Sequence, residues 1–218
     1  SLFGALKSKQ IDVLLSNSID DIQINSLRML SDNKKIKEGN SPATEISFIS
    51  FRTNIYPLNN RNVRFALAKS LNRKFISKKV SYGLRSSSRS IVPPIFKQGN
   101  QDLWPKYDPS AAKKLLQKEG YCNGNLLNIP LTYRSNVPSD KLIALTWQKE
   151  IKNVLKDCVE IQINGVESTT IYKNLSLGVY TAVILDWTGA YSDPEAYLTP
   201  LLSCSEIDGG VCKKGESV

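Results

Sequence analysis

Asp108-Pro109-Ser110-Ala111-Ala112-Lys113-Lys114-Leu115-Leu116-Gln117-Lys118-Glu119-Gly120 is the clearest helix in the chain and the first of the units that decide its fold. Asp108 is an N-cap whose carboxylate can accept from a free backbone N–H of the first turn. Pro109 suits the first helical position, where no N–H is needed. Ala112, Leu115, Leu116 and Glu119 share a face, and Gly120 is placed to end the helix. Leu127 to Tyr133 then predicts a strand. Ser139 is expected to cap a long helix to Leu155, with Ala144, Trp147, Ile151 and Val154 as its inner stripe. Val159 to Ile163 predicts a strand, Ser168 to Leu177 a helix, and Thr181 to Leu185 an apolar strand. The segment Trp187-Thr188-Gly189-Ala190-Tyr191-Ser192 follows, and then Asp193-Pro194, a second N-cap with proline behind it. Pro200 removes a backbone donor and crowds the carbonyl of Ala196, so the last helix is expected to kink or end near it. Strands alternating with helices predict an α/β sheet with right-handed crossovers.

Upstream, Leu2 to Lys9 and Asp20 to Leu30 predict helices, and Ile11 to Leu15 a short apolar strand between them. A polar loop spans Asn33 to Thr44. Ile46 to Phe51 carries apolar groups on both faces, which suits a strand buried on both sides. Asn60 caps a helix over Arg61 to Leu71, with Val63, Ala66, Leu67 and Leu71 on one stripe. A second helix covers Arg73 to Tyr82 and stops at Gly83. Residues 84–100 have no period and are expected to form a long ordered loop.

Composition narrows the function. Lys and Arg number 29 against 20 Asp and Glu, a formal charge of +9. Such a surplus can attract nucleic acid, but the basic residues are scattered over polar faces of predicted helices. A solvated basic surface is the plainer reading, with a basic nucleic-acid-binding α/β domain as its rival. No stretch approaches the ~20 apolar residues of a membrane helix. The chain opens Ser1-Leu2-Phe3-Gly4 and its one methionine is Met29, so we read it as a piece of a longer protein. It has no histidine, which removes Ser-His-Asp and Cys-His nucleophilic sites. Phosphate-loop glycine patterns are missing too. No cofactor or metal site is expected. Asp186 and Asp193 flank one loop, but their spacing does not make a catalytic pair. A carboxylate hydrolase would need two acids converging in a pocket.

Ligands in open α/β sheets bind outside the carboxyl ends of the strands. Trp187, Tyr191 and Tyr197 cluster past one predicted strand, and Tyr133 and Arg134 lie at the end of another. Packing in the core or at the rim is the alternative for Trp187 and Tyr191. The four cysteines form no Cys-x-x-Cys pair. They fit two disulfides and an oxidising compartment, or four buried thiols. Cys122 and Cys158 each follow a helix and precede a strand. Neighbouring parallel strands would bring them within bridging reach. Cys204 and Cys212 bracket a glycine-containing loop, which predicts a second bridge.

Three segments, in order, resemble the peptide-, dipeptide- and nickel-binding proteins of ABC importers, the bacterial extracellular solute-binding proteins of family 5. They are Asn59 to Leu67 continued by Asn72-Arg73-Lys74; Tyr107 to Leu116 with Gly120-Tyr121; and Tyr172 to Tyr180 followed by Val183 to Gly189 and Asp193-Pro194. The resemblance implies an α/β lobe of the type II periplasmic-binding-protein kind, a mixed sheet with helices packed on it. It implies a two-lobed protein that closes over its ligand. Residues 1–45 would be the tail of the first lobe and the approach to the hinge, and residues 46–218 a truncated second lobe. The implied function is capture of peptides or a related small solute for an ABC permease and its ATPase. The full-length protein would be a monomer, periplasmic or otherwise extracytoplasmic, with a lipid anchor as one option, and not an enzyme. The implied ligand-binding residues are Asp186, Trp187, Thr188, Gly189, Ala190, Tyr191, Asp193, Tyr133 and Arg134. In peptide-binding members an Asp three positions after the Trp grips the ligand's ammonium; here Ala190 stands there. Either Asp186 or Asp193 substitutes, or the ligand lacks a free amino end. Arg134 would hold a ligand carboxylate, or it is a solvent-exposed arginine.

Overall fold

The computed structural model describes residues 1–15, 19–39, 42–100 and 102–214. Residues 40 and 41 of the predicted polar loop lie outside them. Helix α1 spans Leu2–Lys7 and α2 Asp21–Asp32. The residues between them do not form the strand expected at Ile11 to Leu15. An apolar run is a strand only where a partner strand takes up its backbone N–H and C=O groups, and among the described residues none is paired with it.

Strand β1 spans Glu45–Phe51, and α3 (Arg61–Ser70) and α4 (Arg73–Val80) follow. Asn60 caps α3 as expected, its Oδ1 accepting from the N–H of Asn62 at 2.8 Å. The backbone turns left-handed after α4 at Tyr82 as well as at Gly83. The loop of 84–100 contains a 3-10 turn at Lys97–Asn100. Helix α5 (Pro109–Lys118) starts at its Asp108 cap, with Ala111 N–H to Asp108 Oδ1 at 2.8 Å. Next come β2 (Leu127–Arg134), α6 (Pro138–Val154), β3 (Val159–Val166), α7 (Ser168–Leu175), β4 (Ala182–Thr188) and α8 (Glu195–Leu202). A small hairpin of β5 (Glu206–Asp208) and β6 (Val211–Lys214) closes the described chain.

Four strands form one mixed sheet in the order β1-β4-β2-β3. β2 runs parallel to β3 and to β4, and β1 runs antiparallel to β4, pairing Glu45 with Thr188 and Phe51 with Ala182. The long antiparallel register explains one difference from the sequence reading. β4 continues through Asp186, Trp187 and Thr188 because β1 pairs with all three; the apolar run alone suggested an end at Leu185. β1 lies at one edge of this sheet and is half-buried, with Ile46 its one fully buried residue.

Helices cover both faces. Val63, Leu67, Leu116, Trp147 and Ile151 pack with Leu127, Ile129, Leu131, Ile161 and Ile184 in the main core. Trp147 is fully buried, and its indole N–H is satisfied by the Ser70 hydroxyl at 3.2 Å. Ile171 of α7 packs on Val183 and Leu185 from the other side. A third cluster joins Ile46, Val92, Ala196 and Tyr197, with Trp187 and Phe96 against it.

Two helix ends differ from expectation. α6 begins at Pro138, with Val137 in the cap position and no capping side-chain bond, so Ser139 is not the cap. α8 has Pro194 rather than Asp193 in its cap position, and it ends at Leu202, close after Pro200 as expected. Both expected disulfides, Cys122–Cys158 and Cys204–Cys212, are formed. Arg85 ties the N-terminal segment to the sheet, meeting Asp21 at 3.1 Å and Glu45 at 2.7 Å.

Candidate functional site at the carboxyl ends of the parallel strands

Since β2, β3 and β4 are parallel, Arg134, Val166 and Thr188 all end at one edge of the sheet. α6 and α7 begin there. Arg134, the last residue of β2, is 4 % exposed. Its Nε and Nη2 donate to the two carboxylate oxygens of Asp140 at 2.6 and 3.0 Å, a bidentate contact. Its Nη1 donates to Asp186 Oδ1 at 2.5 Å and to the Tyr172 hydroxyl at 3.1 Å. One guanidinium therefore joins β2, the first turn of α6, β4 and α7.

Charge keeps this arrangement together. Burial works against the charged guanidinium, but the bonds and fields of Asp140 and Asp186 outweigh it and hold its pKa above the ordinary range. Burial pushes the Asp140 carboxyl up, against the pull of Arg134. Asp140 is 1 % exposed, whereas the Asp186 side chain is 30 % exposed. Arg134, Asp140 and Asp186 carry one net negative charge, and Asp186 is the carboxylate that reaches solvent. The reading of Arg134 as a solvent-exposed residue is overturned, because four of its five donors meet partners inside the protein. Asp140 and Tyr172 were not singled out from the sequence. Asp140 stands six positions after Arg134, where a strand gives way to a helix, but that spacing becomes a contact only once β2 and α6 pack.

Trp187, the residue after Asp186 on β4, is half-buried against the Ile46, Ala196 and Tyr197 cluster. Its indole N–H donates to the carbonyl of Ala196 at 2.8 Å. Ala196 is the residue whose helical partner would have been the N–H of residue 200, and Pro200 has none. The proline thus frees an acceptor that the indole takes. Gly189 allows the close approach: a Cβ there would lie 2.8 Å from the Tyr197 ring and 3.0 Å from Ala196 Cβ. Thr188, Ala190 and Tyr191 are exposed. Asp193 is exposed and spent locally, its Oδ1 accepting from the N–H of Glu195 at 2.8 Å. Tyr133 is half-buried over Gly165 of β3, where a Cβ would sit 2.7 Å from its hydroxyl. The structure brings Arg134 and Asp186 together; Trp187 and Thr188 follow Asp186 at the end of β4, and Gly189 to Tyr191 lie past it. Asp193 lies one residue before the cap position of α8, its carboxylate accepting from the N–H of Glu195, and Tyr133 packs on the sheet. Among the described residues no group of three or more His, Cys, Asp or Glu could hold a metal ion, and no helix is long and apolar enough to cross a membrane.

A partly exposed carboxylate on a rigid buried base, with aromatic and hydroxyl groups around it at a strand terminus, is equipment for gripping a small polar solute. Residues 1–209 match the family described as bacterial extracellular solute-binding proteins, family 5 middle region, and the chain belongs to that family. It is 28 % identical over 215 residues to heme-binding protein A of Haemophilus influenzae, covering 94 % of this chain and 37 % of that protein. It is 28 % identical over 185 residues to the dipeptide-binding protein of Escherichia coli, covering 83 % and 34 %. Among solved structures, the dipeptide-binding protein from Pseudoalteromonas sp. SM9913 in complex with Met-Leu superposes with a TM-score of 0.72. Its identity is 27 %, over 92 % of this chain and 39 % of that one. The fold is the mixed α/β architecture of type II periplasmic-binding proteins. The chain spans less than two fifths of the length of each of these relatives.

Proposed function

We propose that this chain is part of the solute-binding subunit of an ABC importer, an extracytoplasmic receptor that captures a peptide or related small solute and passes it to a permease. The observation that carries the reading is the Asp186 carboxylate, anchored by buried Arg134 at the carboxyl edge of the sheet, with Trp187 to Tyr191 continuing from it. Residues 46–218 are then a truncated second lobe, and residues 1–45 lead from the first. The receptor is a monomer that does no chemistry on its solute, held close to its permease by a periplasm or by a lipid anchor. A clamshell buries its ligand between two walls, and this chain supplies one of them.

Ala190 bears on the kind of solute. A buried ammonium needs a counter-charge, because leaving it unpaired costs several kcal/mol or so. Position 190 offers none. Asp193 is committed to the start of α8, and Asp186 already shares its charge with Arg134. The reading therefore favours a solute without a free amino end.

Native mass spectrometry of the full-length protein, isolated without denaturation, tests the proposal. A small solute retained at one copy per chain is expected, released on unfolding. Salt-sensitive retention of nucleic acid in its place would favour the rival basic-domain reading and overturn this one.

A further inference from the structure

We infer that Tyr172 and Asp186 are a donor–acceptor pair that reads an amide of the solute, with Arg134 and Asp140 as the residues that position it. The inference rests on the solute-receptor reading above.

Both groups bond to the same nitrogen, Arg134 Nη1, so they stand side by side within reach of one ligand group. Tyr172 accepts from Arg134 through its oxygen. Its own O–H hydrogen must therefore point elsewhere, and the residue is 49 % exposed. Asp186 uses Oδ1 for Arg134, and among the described residues Oδ2 has no partner. What the pair offers outward is one O–H donor beside one carboxylate acceptor. An ammonium carries only donors, and next to Asp186 it would meet the hydroxyl hydrogen of Tyr172 and the guanidinium behind it. A carboxylate ligand would be repelled by Asp186. An amide fits both: its N–H donates to Asp186 Oδ2 and a carbonyl accepts from Tyr172. A side-chain amide can do this. So can one residue of an extended peptide, whose N–H and C=O point to the same side, as in a hydrogen-bonded strand pair.

Preorganisation comes from below. Asp140 takes the bidentate edge of Arg134 at 2.6 and 3.0 Å and is itself buried, so the guanidinium cannot swing out to a ligand. Its remaining nitrogen fixes Asp186 and Tyr172 in place. The pair needs no free amino end on the solute, which accords with alanine at position 190.

The test uses the full-length protein in equilibrium dialysis against a pooled tripeptide library, with retained peptides read by mass spectrometry. The library is supplied in two forms, free and doubly capped (N-acetyl, C-amide). Capped peptides should be retained by the wild-type protein. Tyr172→Phe and Asp186→Asn should each lower that retention by about tenfold, as expected for one hydrogen bond to a charged or buried group. For the best capped peptide, replacing amide N–H groups one at a time with ester oxygen should weaken binding to the wild type at one position. That same ester should cost nothing further in Asp186→Asn, a coupling that a merely structural role would not produce. If free peptides bind and capped ones do not, the receptor reading stands and this inference fails. It fails as well if both variants retain capped peptides like the wild type, or if no ester position couples to Asp186. If neither form is retained, peptide capture is wrong and the inference falls with it.

Discussion

Arg134 shows how one residue can organise a site without being its contact surface. Its guanidinium is consumed by Asp140, Asp186 and Tyr172, so in the proposed receptor its influence on a solute passes through the last two. Removing a partner from a buried ion pair leaves a charge stranded in a poor solvent. Asp140→Ala should accordingly lower stability by about 3 kcal/mol, measured as a shift in the urea unfolding midpoint. A loss below ~0.5 kcal/mol, the size of an ordinary surface substitution, would show that Asp186 alone can hold Arg134. Gly189 is the other residue whose side chain, or lack of one, shapes the site. Gly189→Ala would drive a methyl into Tyr197 and Ala196. Overpacking of this kind costs about 1–3 kcal/mol, and the displaced α8 should also change the fluorescence of Trp187, whose indole bonds to it. Unchanged stability and emission would mean that the loop shifts freely. Little of this was legible in the sequence. Asp186 and Trp187 stood out because they close an apolar strand, but the roles of Asp140, Tyr172 and Pro200 depend on contacts between elements that no local pattern records.

At the scale of elements, what is local could be read and what is paired could not. Asp108 and Asn60 cap their helices as their sequences predict, since a cap bonds two or three residues onward. Ile11 to Leu15 has a strand's composition and no partner, while β4 outruns its apolar core because β1 lies beside it through Thr188. Glu119 links two elements. It follows α5 and accepts from Asn62 at 2.6 Å and from Asn60, at the start of α3. Those bonds hold its carboxyl below the usual range. A carboxyl whose pKa falls on folding stabilises the fold above its unfolded-state value, and that support is lost as pH drops through the lowered folded value. Glu119→Gln should flatten this acid limb, seen as a smaller loss of melting temperature between neutral pH and the acid range. Asp140 acts with the opposite sign. Its carboxyl is raised, so its term weakens the fold as pH climbs through the window between the ordinary and the raised value. An acid limb of equal steepness in Glu119→Gln and wild type would rule out the contact between α3 and α5 as its source.

For the whole molecule, two disulfides close separate loops, one between the helix–strand junctions of the sheet and one around the final hairpin. Sequence spacing predicted both pairings, the first because its cysteines hold matching places in successive helix–strand units and the second because its cysteines bracket a short glycine-containing loop. In the proposed receptor, the polar edge at the carboxyl ends of the strands, where Asp186 reaches solvent, is one of two walls that enclose the solute. The account therefore turns on one comparison. Isothermal titration calorimetry, using the solute recovered from the full-length protein, should show micromolar or tighter binding to the full-length protein. The same titration of this 218-residue chain should show binding at least a hundredfold weaker or none, since one wall cannot bury a ligand. Equal affinity for the two would contradict the account, because it would mean that this lobe alone completes the site.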